Sequence, residues 1–119
     1  MSTPHSQWQR LLTDQGQEAV VNVAVNQSAP NPTDKVGVLC ANRRKLTIRT
    51  FNTAAVGSFD VEVFLQYAVD EPWFSRIASV NVATSNFSTI EATGAIRAFA
   101  LVDNFAGGAV ANVRISGGD

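Results

Sequence analysis

A chain of 119 residues, 45% hydrophobic and 16% charged, has room for one domain with a packed core, which argues against a second domain and against global disorder. Nine Lys and Arg against ten Asp and Glu leave a net charge of -1, so no overall field draws the chain to nucleic acid or to an anionic membrane. Its one cysteine, Cys40, cannot form an intramolecular disulfide and suits assembly in a reducing cytoplasm.

Residues 1–16 read as an N-terminal arm ahead of a sandwich domain over 17–119. The arm is polar and Gln-rich, and it lacks an apolar run of signal-peptide length. Trp8, Leu11 and Leu12 are spaced i, i+3, i+4, which permits a short helix that needs a surface to dock on, either its own sandwich or a neighbouring subunit. Val21, Val23 and Val25 alternate with Asn22, Ala24 and Asn26, predicting a strand with the three valines on one face. A loop follows through Pro30 and Pro32, and a short strand is expected where Val36, Val38 and Cys40 alternate with Gly37, Leu39 and Ala41.

Leu46, Ile48 and Thr50 alternate with Lys45, Thr47, Arg49 and Phe51 and predict a half-buried strand whose other face is cationic and hydroxylated. Phe59, Val61, Val63, Leu65 and Tyr67 share one face of the strongest strand, with Asp60, Glu62 and Gln66 on the other and Phe64 as an aromatic among them. Asp70-Glu71-Pro72 marks a turn before Trp73, Phe74 and a strand carrying Ile77, Val80 and Val82. Residues 83–88 read as a connection, with a brief strand from Ser88 to Glu91. Ile96, Ala98, Ala100 and Val102 alternate with Arg97, Phe99, Leu101 and Asp103, so both faces are largely apolar and the strand is central. Asp103 to Gly108 predicts a hairpin turn into a partner strand over Ala109 to Ser116, and Gly117-Gly118-Asp119 reads as an unpacked tail. Seven or eight strands at such spacing, with no apolar helical stripe after residue 16, predict an all-β, antiparallel β-sandwich of jelly-roll or immunoglobulin-like type. Its longest apolar stretches are strand-sized, far short of the ~20 residues that span a bilayer, so a soluble protein without membrane contact is expected.

Chemistry-bearing residues are sparse. His5 is the only histidine and lies in the arm, so no Ser-His-Asp arrangement or transition-metal site is expected. Cys40 sits in an apolar run and reads as a small buried hydrophobe. Asp70 and Glu71 are adjacent on a turn, unlike two carboxylates facing across a cleft. No catalytic residues and no cofactor are assigned. Arg43, Arg44 and Lys45, with Arg49 on the same strand, are the one local concentration of positive charge. They read as strand-edge protection or as a contact for an acidic partner. Tyr67, Trp73 and Phe74 offer a second reading, a stacking platform for a sugar with calcium held near Asn31 and Asp34, although a Trp after a long strand more commonly plugs the space between sheets.

The run from Phe59 to Trp73, a strand followed by an acidic turn and a Trp, resembles small β-sandwich virion proteins of tailed bacteriophages. The segments 95–102 and 110–118, joined through Gly107-Gly108, resemble the closing hairpin of such proteins, and the likeness covers roughly residues 45–118. That resemblance implies a non-enzymatic capsid decoration, or cement, protein on the virion surface, made in the host cytoplasm. It would bind major capsid protein subunits, usually as a trimer and without nucleic acid. A tail or baseplate location and a carbohydrate-binding module are the alternatives. The expected partner contacts are Trp8, Leu11 and Leu12 on the arm and Arg43, Arg44 and Arg49 on the basic strand.

Overall fold

The computed structural model describes residues 16–118, which form eight strands and no helix. In chain order they are β1 (Gln17–Val23), β2 (Val38–Leu39), β3 (Lys45–Asn52), β4 (Ser58–Gln66), β5 (Phe74–Val82), β6 (Ser85–Glu91), β7 (Arg97–Ala106) and β8 (Ala111–Gly118). Two four-stranded antiparallel sheets result, ordered β1-β8-β3-β6 and β2-β7-β4-β5. The pairs β1–β8, β2–β7, β3–β6 and β4–β5 are nested, as if one long hairpin with its tip between β4 and β5 had been rolled up. Rolling adds the pairs β3–β8 and β4–β7. This is jelly-roll connectivity, and it separates the two sandwich types left open by the sequence.

The alternation of β3, β4 and β8 has a direct physical outcome. Leu46 and Ile48, then Phe59, Val61, Val63 and Leu65, then Val113 and Ile115 all face the interior and are buried, together with Ala98, Ala100 and Val102 of β7. Cys40 is fully buried beside them, and burial pushes its thiol up to about 12, which leaves no thiolate at neutral pH.

Several expectations are corrected. Val21 and Val25 are 49% and 70% exposed, whereas Val20 is buried and Val23 is half-buried. The strict alternation fails because β1 carries register shifts between Glu18 and Val20 and between Val20 and Val23, with Asn22 at φ 52°. The strand expected around residues 36–40 is only Val38–Leu39. β6 runs from Ser85 to Glu91 and pairs with β3 along its whole length, so the connection before it is just Ala83-Thr84. Its Ser and Thr residues hide a strand because inward Asn86 and Ser88 weaken the apolar alternation. Residues 104–110 do not form a hairpin: β7 extends to Ala106, and β8 crosses to the other sheet to lie between β1 and β3. Gly117 and Gly118 belong to β8, with Gly117 opposite Leu46. β3 is an interior strand, so Arg43 to Lys45 protect no edge.

Candidate interaction surfaces

The outward residues of β3, β6 and β8 build one surface. Arg49 lies between Phe87 on β6 and Arg114 on β8, each directly opposite it. Phe51 lies between Ser85 and Asn112 in the adjoining row. The Phe51 and Phe87 rings meet edge to face with centroids 5.8 Å apart, yet remain 37% and 63% exposed. On the far side Arg114 is opposite Glu18, and its Nη1 donates to the Gly16 carbonyl at 3.2 Å. Two arginines set directly opposite each other repel, an arrangement that costs stability and is relieved by Glu18 or by an anionic partner. Arg44 is exposed at the start of β3, while the stem of Arg43 lies against Gly117, where a Cβ would collide with it. The structure thus brings Arg43, Arg44 and Arg49 to one sheet, with Arg43 and Arg44 at its end and Arg49 on its outer face. It adds Arg114, Phe51 and Phe87, which the sequence reading did not select. Alternation marked Phe51 and Arg114 as outward, but only the registers of β3 with β6 and β8 set Phe87 and Arg114 beside Arg49.

The opposite sheet carries a buried polar lock. Gln66, expected on a solvated face, is fully buried. Its Nε2 donates to the carbonyls of Pro32 at 2.9 Å and Glu71 at 2.7 Å, while its Oε1 accepts from Arg97 Nη2. Arg97, also buried, donates through Nη1 to the Asp34 carbonyl at 3.1 Å and lies 5.5 Å from the centre of the Trp73 ring. Trp73 Nε1 donates to the Asn31 carbonyl at 2.9 Å, and its ring meets Phe99 edge-on. The loop between β1 and β2 is therefore tied down across the outer face of β4 and β7. Trp73 closes that loop rather than the space between the sheets, because Arg97 and Gln66 both point outward from their strands. Tyr67 and Phe74 pair separately at 5.9 Å, with Phe74 50% exposed, so the three aromatics do not form one flat platform. Asp34 Oδ2 accepts the Asn31 N–H at 2.7 Å, which commits that carboxylate to its own turn.

Farther along the same sheet Asp60 and Asp103 are directly opposite, with Glu62 nearby on β4. Hydrogen bonds from Asn81 and Asn104 hold Asp60 below its usual range. Partial burial, and then the charges of Asp60 and Glu62, raise Asp103. Asp60, Glu62 and Asp103 thus form a local acidic cluster, in contrast to the Arg49–Arg114 pair on the other sheet. Among the described residues no group of three or more His, Cys, Asp or Glu is placed to hold a metal.

Trp8, Leu11 and Leu12 lie outside the described residues; Gly16, beside Arg114, is the point where their segment joins the sheet. Comparison with protein families, with curated proteins and with solved structures finds no match to this chain.

Proposed function

We propose that the chain is a non-enzymatic structural protein of a virion, a head decoration protein that clamps neighbouring major capsid subunits, with a tail or baseplate position as the nearest variant. The observation that carries this reading is the outer face of β3, β6 and β8, where exposed Phe51 and Phe87 adjoin the opposed pair Arg49 and Arg114. Exposed aromatics beside arginines are the composition of binding hot spots, and juxtaposed arginines favour an acidic partner surface. Jelly rolls serve in capsids and also in lectins, so the fold alone does not choose between them. Engagement of Trp73 by Arg97, Phe99 and the Asn31 carbonyl weighs against the sugar platform.

Repeated around a symmetric shell, even modest contacts sum to firm attachment. Heads stripped of the protein should rebind it on cosedimentation. Phe87→Ala and Arg49→Ala should each weaken that binding about 5- to 30-fold, on the order of 1–2 kcal/mol for a hot-spot residue. Undiminished binding of both variants would remove this face from the contact. Glycan binding lost with Trp73→Ala at unchanged stability would favour the carbohydrate-binding alternative.

A further inference from the structure

The four edge strands of the two sheets are not alike. β1 is irregular, with two register shifts and Asn22 at positive φ. β2 is two residues long, and beyond it the Gln27 N–H donates to the Val102 carbonyl, covering the next part of β7. β5 pairs with β4 through register shifts on both sides of Val63 and carries Arg76. These irregularities, short lengths and charges are devices by which sheets resist adding a further strand. β6 has none of them. It is regular from Ser85 to Glu91, contains no proline and no bulge, bears one charge at its end, and among the described residues has β3 as its sole strand neighbour.

Two hydrogen bonds bracket the β3–β6 ladder, Asn52 N–H to the Thr84 carbonyl at 2.8 Å and Ala92 N–H to the Arg44 carbonyl at 2.7 Å. Since antiparallel pairs alternate, even-numbered residues of β6 direct their backbone groups to β3. Ser85, Phe87, Thr89 and Glu91 direct theirs away from the sheet. We propose that this outward row pairs with the same row of a second copy, joining two sandwiches about a twofold axis at Ser88 into one continuous eight-stranded sheet. In that register Phe87 faces the partner's Thr89 and Ser85 faces the partner's Glu91. Every outward backbone group is matched, and no like charges are opposed. The exposed Phe87 of one copy then lies diagonal to Phe87 of the other, extending the Phe51–Phe87 pair into an aromatic row across the junction. This inference is independent of the decoration reading, and it differs from the trimer implied by the virion resemblance.

Light scattering of the full chain from 1 to 200 µM, with amide exchange on the same samples, tests it. The expected mass rises to twice that of the chain, with slow exchange at Phe87 and Thr89. Thr89→Pro removes an N–H that points away from β3, so it should return the chain to monomer while leaving the circular dichroism spectrum and the unfolding midpoint nearly unchanged. Thr89→Lys should weaken association at least tenfold by setting like charges diagonally across the axis. A chain monomeric throughout the range overturns the proposal, as does a trimer, or a dimer indifferent to both substitutions. Slow exchange at Phe87 and Thr89 in a monomer also overturns it, because another part of the same chain would then cover the edge.

Discussion

Asn52 shows how much one side chain can organise at the end of a sandwich. Its Nδ2 donates to the carbonyls of Val56 at 3.0 Å, Gly57 at 3.3 Å and Ala83 at 2.9 Å, and its Oδ1 accepts the N–H groups of Ala54 and Val110, each at 3.2 Å. Three connections between strands are pinned by one amide. Asn52→Ala leaves these backbone groups to find water or go unpaired, and should cost ~2–4 kcal/mol in chemical denaturation. Asp103 makes the opposite kind of contribution. Its pKa in the folded chain is raised by partial burial and by Asp60 and Glu62, so the penalty for ionising it appears as pH rises above the ordinary carboxylate range and is absent below it. Asp103→Asn should therefore raise the melting temperature at pH 7 and leave it nearly unchanged near pH 3. An equal gain at both pH values would show that ionisation of Asp103 is not the cause.

At the scale of elements, periodicity located β3 and β4 because each keeps one face apolar and inward, and β7 because both of its faces are largely apolar. It failed where the register is irregular or the inward face is polar. β1 turns Val20 inward and Val21 outward through its bulges, which sequence alternation cannot anticipate, whereas β5, also bulged, buries the expected Ile77, Val80 and Val82 against the core. In β6, Asn86 and Ser88 occupy inward positions opposite Thr50 and Ile48, and Ser88 Oγ bonds Asn86 Oδ1 at 3.0 Å. The Gly107-Gly108 turn was legible as a turn, but its destination was not. Gly107 and Gly57 pack backbone against backbone, and a Cβ on Gly57 would collide with the Ala106 carbonyl, so the two turns close one end of the sandwich together. That approach continues the β4–β7 pairing past Ser58 and Ala106 within one sheet, and only beyond Gly108 does the chain leave for the other sheet, where a hairpin would have returned it to β7.

For the whole molecule, nested pairing means that the first strand meets the last, with Gln17 opposite Ile115. Only β4–β5 is local in sequence. The other pairs must close long loops before any ladder bond forms, which slows folding. Refolding after denaturant dilution should accordingly occupy roughly milliseconds to seconds, as for other all-β folds of high contact order. A phase complete within ~100 µs by stopped-flow or temperature-jump fluorescence would contradict that expectation.

By itself the sequence determined the all-β class, the inward faces of β3, β4 and β7, the burial of Cys40 and the outward face of Arg49, because period-two burial and turn chemistry are local properties. Tertiary structure alone decided which strands are neighbours. From that follow jelly-roll rather than immunoglobulin-like connectivity, the meeting of Arg49 with Arg114 and Phe87, and the enclosure of Gln66 and Arg97 beneath a loop more than thirty residues away from either in the chain. Each of these depends on a register between segments far apart in sequence, and alternation within one segment carries no information about its partner.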